Sequence, residues 1–125
     1  MLMLTPVAYG LAVLLDLLIA FIGLRFLLTP GPAAAGYGVP AKENGDAAYL
    51  TIKGLRDLTY GLLGLALLAF AGARAEAWFM LVVAIVPFVD TVIVLRHGGT
   101  KAVAFGIHFA TAVTVLLSAA LLFMV

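Results

Sequence analysis

The sequence predicts an all-α integral membrane protein, folded as an antiparallel bundle of four transmembrane helices. Of its 125 residues, 66% are hydrophobic and only 10% are charged, whereas soluble domains average about a half apolar and a quarter charged residues. Four apolar segments reach the length of about 20 residues that a helix needs to cross a bilayer. They are blocks of Leu, Ala and Val without period-two alternation, which argues against transmembrane strands. A chain of this length forms one domain, so residues 1–125 are expected to be a single transmembrane domain.

The first helix is predicted over residues 6–28 and ends at the Thr-Pro-Gly-Pro stretch that follows it. A cleaved signal peptide is the weaker interpretation, because no Lys or Arg precedes the apolar run and because Asp16 lies inside it. Residues 29–46 are rich in Gly, Pro, Asn and Lys, and this composition predicts one long loop.

The other helices are predicted over residues 47–71, 77–95 and 101–124. Gly72 ends the second helix, and Gly98 with Gly99 ends the third. The connections between these helices are short turns, and short turns join antiparallel neighbours. An up-and-down bundle is therefore the simplest arrangement.

Basic residues are distributed unequally between the two ends of the predicted bundle. Cytoplasmic loops of membrane proteins carry an excess of Lys and Arg, so we expect the first and third loops in the cytoplasm and both termini outside. A bacterial plasma membrane is the expected location. The outer end carries Arg74 alone, whereas the cytoplasmic end carries Arg25, Lys42, Lys53, Arg56, Arg96 and Lys101.

Ionisable side chains lie inside the apolar segments at a common depth. Asp57, Asp90 and His108 are each about six to eight residues, or roughly 9–12 Å, from the cytoplasmic end of their helices. A charge in hydrocarbon costs about 3 kcal/mol or more, so such residues usually face a protein interior or a wet cavity. Asp16 lies near mid-membrane and has no cationic partner within its own turn.

The helical faces place several of these residues toward the bundle interior. On the second helix, Asp57 and Tyr60 share a face with glycines that let a neighbouring backbone approach closely, namely Gly54, Gly61 and Gly64. Another face is expected to contact lipid or a second subunit of a homo-oligomer, and it consists of Leu55, Leu58, Leu62 and Leu65.

The remaining faces leave alternatives open. On the fourth helix, His108 and Thr111 lie on one polar stripe. Arg25 lies opposite Asp16, so it reaches the bundle axis only if the first helix bends near Gly23, and otherwise it snorkels to the headgroups. The structural alternative is that Asp57 pairs with Lys53 or Arg56 and that His108 only bonds two helices together.

Several classes of site are excluded by residue types. The chain has no Cys, so disulfides, thiolate catalysis and Cys-based metal sites are excluded. Neither a His pair at metal-binding spacing nor a phosphate loop occurs, so we expect no metal and no cofactor. The net charge is +1 and the basic residues are scattered, which predicts no nucleic-acid partner. The expected partners are membrane lipids and a small lipophilic ligand.

Several short motifs resemble one family of small membrane proteins. They are Gly-Leu-Arg-Phe-Leu-Leu-Thr-Pro at 23–30, Gly-Tyr-Gly-Val-Pro at 36–40, Lys-Gly-Leu-Arg-Asp at 53–57 with Gly61, Pro-Phe-Val-Asp at 87–90, Arg-His-Gly at 96–98, and His108. The family is catalogued as domain of unknown function 4267, and the resemblance extends over nearly the whole chain. More distantly, the chain is similar to the DoxX and DoxD type of membrane protein. The resemblance implies a four-helix membrane bundle and no established activity.

The residues favour a pocket for a small lipophilic molecule, with acid–base chemistry. Two carboxylates in a low-dielectric site repel each other, which raises the pKa of one of them. At neutral pH one group is then a protonated acid and the other an ionised base. The candidate catalytic residues are Asp57, Asp90 and His108. The candidate substrate-binding residues are Arg56, Arg25, Tyr60 and Thr111. Isomerisation, epoxide opening or hydrolysis would suit such a site, but the residues leave catalysis and simple binding both open.

Two other functions also stay open. Asp16 at mid-depth, with Asp57 and Asp90 nearer the cytoplasm, resembles a proton relay. A relay would suit a proton-coupled transporter or a small membrane subunit of a quinone-linked redox complex. Alternatively, the polar residues hold the helices together and the role of the protein is structural.

Overall fold

Four long helices and one short helix make up the computed structural model, which describes residues 3–42 and 45–125. They are α1 (Leu4–Leu28), α2 (Pro30–Tyr37), α3 (Ala47–Ala71), α4 (Ala73–Arg96) and α5 (Lys101–Phe123). The four long helices are each long and apolar enough to cross a membrane. The described part of the chain contains no strand. The prediction of an all-α fold is therefore confirmed.

Helices α1 and α3 form the first antiparallel pair, and glycines form their contact. A Cβ atom added at Gly54 would lie 2.8 Å from the carbonyl oxygen of Gly23. One added at Gly61 would lie 2.5 Å from the carbonyl oxygen of Asp16. The glycine face predicted for the second transmembrane helix therefore carries this contact, because only residues without a side chain let two backbones approach so closely.

The leucine face predicted for the second transmembrane helix is only partly exposed. Leu55 and Leu62 are exposed, whereas Leu58 and Leu65 are partly buried. The exposed part suits lipid, because an apolar side chain loses nothing in contact with acyl chains.

Helices α4 and α5 form the second antiparallel pair, in part through aromatic contacts. The rings of Trp78 and Phe123 lie 5.1 Å apart, and those of Phe88 and Phe109 lie 5.7 Å apart, both edge to face. These are favourable arrangements for aromatic quadrupoles. The order of the contacts shows that the start of α4 lies beside the end of α5.

The two pairs meet in the half of the bundle that holds both chain termini, here termed the terminal half. Ala8 and Ala12 of α1 belong to one buried apolar cluster with Val115, Ala119 and Leu122 of α5. The cluster also takes in residues of α3 and α4. The small alanines let α1 and α5 pack closely, so this half of the bundle is closed.

The opposite half, here termed the α2 half, is bridged by α2. The prediction of a continuous loop over residues 29–46 is wrong, because α2 occupies Pro30–Tyr37. Pro30 suits the first position of a helix, where its missing N–H costs nothing, and alanines that favour helix follow it. Gly38 ends the helix with a φ of 103°, which favours glycine. Glu43 and Asn44, also within the predicted loop, lie outside the described residues.

Helices α4 and α5 each contain an irregular turn beside the space between the pairs. In α4 the regular helix is interrupted at Ala84, near Pro87, which has no N–H to offer the carbonyl of Val83. In α5 a π-helical turn spans Ala104–Phe109 and contains His108. Turns of this kind are frequent at functional sites.

The start of α4 also differs from the prediction. The helix begins at Ala73 rather than at residue 77, directly after Gly72, whose φ of 101° permits the sharp reversal from α3. Glu76 therefore lies in the first turn of α4 and not in a solvated connection. It is fully buried.

Candidate functional site

A cavity of about 310 Å³ lies between the two helix pairs and reaches from α2 to mid-depth. All five helices contribute to its wall, which is mostly apolar. Small-molecule sites usually occupy about 300–1,000 Å³, so the cavity suits a small ligand. The residues singled out from the sequence that line it are Arg25, Asp57, Tyr60, Asp90, His108 and Thr111.

Tyr37, at the end of α2, connects the polar residues of this wall. Its hydroxyl donates a hydrogen bond to the Asp90 carboxylate. Its backbone carbonyl accepts a hydrogen bond of 2.7 Å from Nε2 of His108, and the two rings lie 4.2 Å apart. Burial, with the charges of Asp90 and Asp57, raises the pKa of Tyr37, so its phenol stays protonated at neutral pH.

The bond to Tyr37 also determines the protonation of His108. A carbonyl oxygen only accepts hydrogen bonds, so Nε2 of His108 must carry the hydrogen. In the neutral ring Nδ1 is then left as an acceptor, which is the form that a general base requires. His108 is buried in the π-helical turn of α5.

Asp57 has a counter-charge on its own helix. Nζ of Lys53 lies 2.7 Å from Oδ2 of Asp57, and the same ammonium lies 4.2 Å from the centre of the Tyr37 ring. The ion pair with Lys53, one of the alternatives left open by the sequence, is therefore present. Arg56 is exposed and does not line the cavity, so the structure does not bring it together with the other candidate residues.

Three other candidate residues also line the cavity, namely Arg25, Tyr60 and Thr111. Arg25 is exposed and lines the cavity, so its guanidinium lies at the boundary between the site and the surroundings. Tyr60 is 41% exposed. The hydroxyl of Thr111 donates a 2.6 Å hydrogen bond to the carbonyl of Ile107, which leaves its oxygen as an acceptor for a ligand.

Part of the cavity wall is formed by apolar side chains that are also exposed on the outside of the bundle. Leu18 and Phe21 of α1, Val86 of α4 and Ile107 of α5 line the cavity and are also between 44% and 57% exposed. These side chains lie where the two helix pairs separate.

Asp16 forms part of the cavity wall at mid-depth, and its carboxyl group faces that of Glu76. The sequence predicts no cationic partner for Asp16 within its own turn, and it places Glu76 in the connection between the second and third transmembrane helices. The sequence signal that places Glu76 in a helix is its position shortly after Gly72. Acidic residues favour the first turn of a helix, and a helix that begins after Gly72 has Glu76 in that turn.

Tyr37 was also not selected from the sequence, although it lies in one of the motifs quoted for the family resemblance. The signal available was the Pro-Gly-Pro-Ala-Ala-Ala-Gly-Tyr-Gly stretch at 30–38, which has a helix start and a helix end. As for metals, the described residues contain no group of three or more His, Cys, Asp or Glu side chains that could hold an ion.

Comparison with known proteins identifies the family and nothing closer. No curated protein and no solved structure matches the chain. A family profile described as Domain of unknown function matches residues 17–122, a range that contains Tyr37, Asp57, Asp90 and His108. The more distant similarity to DoxX and DoxD stays a prediction. Because the profile covers most of the sequence, the chain belongs to the family described as Domain of unknown function (DUF4267).

Proposed function

We propose that the protein binds one small lipophilic molecule in the cavity and holds a polar group of that molecule against Tyr37, Asp57, Asp90 and His108. The observation that carries this proposal is that these four side chains, from four different helices, line one mostly apolar cavity. An apolar wall with a few convergent polar groups is the usual form of a small-molecule site. The apolar side chains that both line the cavity and are exposed outside the bundle support a ligand that arrives from the bilayer.

The protonation states support acid–base chemistry on the bound molecule. The phenol of Tyr37 holds its proton in a hydrogen bond to Asp90, and in the neutral His108 ring Nδ1 is left as an acceptor. An acid and a base that face the same space can move a proton to and from a substrate. Isomerisation, epoxide opening or hydrolysis of a lipophilic substrate fits this arrangement. The same groups would also bind a carbonyl or hydroxyl group without reaction.

Movement of a solute across the membrane is the alternative function. It would need a path through the terminal half, where Ala8, Ala12, Val115, Ala119 and Leu122 pack as part of one buried apolar cluster. This packing favours a pocket with one closed end over a path through the bundle.

We further propose that the α2 half faces the cytoplasm of a bacterial cell and that both termini lie outside. The support is the excess of Lys and Arg at the α2 half, where six of the seven basic residues lie, with Arg74 alone at the other end. Two of the six, Arg25 and Lys53, contact the site, and the asymmetry persists without them. In this orientation the cavity lies in the cytoplasmic half of the membrane.

The proposed binding can be tested by extraction of the bound molecule. The full chain is purified from membranes in detergent, then denatured, and its lipophilic extract is analysed by mass spectrometry. We expect one small lipophilic species to co-purify with the wild type and to be lost from Asp90→Asn and Asp57→Asn. The matched control is Asp46→Asn, because Asp46 does not line this cavity.

Melting curves of the same preparations distinguish variants that no longer bind the ligand from variants that no longer fold. Variants that melt like the wild type but lack the species support a binding site. Identical extracts from the wild type and both cavity variants would contradict the proposal. Conversion of the extracted species by the wild type, but not by His108→Gln, would assign catalysis and not only binding.

A further inference from the structure

A second group of buried polar side chains lies between the cavity and the terminal end of the bundle. Glu76 and Ser118 are 0% exposed and Asp16 is 1% exposed. Four of their oxygens have no hydrogen-bond partner among the described residues: Oδ2 of Asp16, both carboxyl oxygens of Glu76, and Oγ of Ser118. Buried polar atoms are normally paired, so each unpaired atom requires an explanation.

Among the described residues, no salt bridge involves either of the two carboxyl groups. On α3, Gly64 lies so close to the Asp16 carboxylate that an added Cβ would collide with it. The nearest ionisable side chain along α3 is Tyr60, one turn away. On α4, Arg74 is exposed and lies over the Phe123 ring, 5.6 Å from its centre.

The basic residues of the other two helices, α1 and α5, form no salt bridge with the pair either. On α1, the nearest base in the chain is Arg25, more than two turns from Asp16. On the outer part of α5, which packs against the start of α4, Ser118 is neutral and lies among apolar residues. Within the described residues, nothing therefore neutralises a negative charge at Asp16 and Glu76.

Two carboxylates that face each other in a dry interior cannot both be ionised. A proton between them removes one charge and supplies the hydrogen bond that their oxygens otherwise lack. We propose that Asp16 and Glu76 form a proton-binding site in which the two carboxyl groups share one proton.

The position of the pair indicates where the shared proton can be exchanged. Asp16 lines the cavity, whereas Glu76 does not and lies in the first turn of α4, near the terminal end. The pair therefore extends from the inner end of the cavity toward the opposite membrane face. A proton held there can be exchanged with the cavity through Asp16. This site is independent of the identity of any ligand in the cavity.

Infrared spectroscopy of the purified full chain tests this proposal without a ligand. A protonated carboxylic acid has a carbonyl stretching band distinct from that of a carboxylate, and the band shifts in heavy water. We expect the wild type to show one such band at neutral pH, and Glu76→Gln and Asp16→Asn to lose it. Asp57→Asn, which changes another buried acid outside the pair, is the matched control and should keep the band.

The outcomes separate the proposal from its alternatives. Absence of the band in the folded wild type at neutral pH would overturn the proposal, whatever the variants do. Loss of the band when sodium chloride replaces choline chloride at constant pH would also overturn it, because the site would then hold Na⁺ in place of the proton. If Glu76→Gln does not fold, the wild-type spectra in the two salts still decide between these results.

Discussion

Tyr37 makes more polar contacts in the cavity than any candidate residue selected from the sequence. Its hydroxyl binds Asp90, its carbonyl determines the tautomer of His108, and its ring lies beside the ammonium of Lys53. One residue thus links α3, α4 and α5 to α2. The sequence could not reveal this, because an isolated tyrosine in a Gly- and Pro-rich segment has no periodic pattern around it.

Substitution of Tyr37 by Phe tests this role. The ring and its packing remain, but the Asp90 carboxylate loses its phenolic donor. We expect a loss of about 1–3 kcal/mol in the free energy of unfolding, the usual cost of depriving a buried polar group of its partner. Thermal melting in detergent measures the change. Tyr49→Phe is the control, because Tyr49 is 74% exposed and should melt like the wild type.

The raised pKa of Tyr37 also predicts a pH dependence. In the unfolded chain the phenol loses its proton near pH 10, whereas in the folded chain burial, with the charges of Asp90 and Asp57, retains it. Above about pH 10 the unfolded state therefore binds fewer protons, and stability falls as the pH rises. Denaturation midpoints between about pH 9 and 11 should fall less steeply for Tyr37→Phe than for the wild type. Equal slopes for both proteins would contradict the assignment.

At the scale of elements, the close pairing of α1 with α3 follows from glycine spacing. The spans and the glycine face could be predicted, because a membrane helix needs a continuous apolar run and a close contact needs residues without side chains. The helix α2 has only its start and end signals, Pro30 and Gly38, in the sequence. It is too short for a recognisable period, and it is held by tertiary contacts of Tyr37 that no local pattern encodes.

Two alanine substitutions separate packing from helix propensity. Gly61→Ala would place a Cβ 2.5 Å from the carbonyl oxygen of Asp16, so α1 and α3 must move apart. We expect a loss of about 1–3 kcal/mol, as for other overpacked sites. At Gly10 no atom lies within 4 Å of an added Cβ, so Gly10→Ala should be neutral or slightly stabilising. Melting temperatures that fall equally in both variants would mean that the pairing does not depend on Gly61.

At the scale of the whole molecule, two helix pairs join tightly in the terminal half and separate around the cavity. The common depth of Asp57, Asp90 and His108 could be predicted from distances along the helices, and all three line the cavity. The Lys53 counter-charge could also be reached from the sequence, because Lys53 lies one turn before Asp57, where side chains meet, whereas Arg56 is its immediate neighbour and points elsewhere. The pairing of Asp16 with Glu76 required the relative position of α1 and α4, which depends on packing alone.

The orientation of the bundle in the membrane is the last property that can be tested directly. The chain has no Cys, so a single introduced cysteine reports only its own position. Lys42 at the α2 half and Arg74 at the terminal half are both exposed and serve as a matched pair. In intact cells an impermeant maleimide should label Arg74→Cys and leave Lys42→Cys unlabelled, because the excess of basic residues retains the α2 half in the cytoplasm. Permeabilised cells should label both variants. Labelling of Lys42→Cys in intact cells would mean that the orientation is the reverse of the proposed one. The cavity would then lie in the outer half of the membrane.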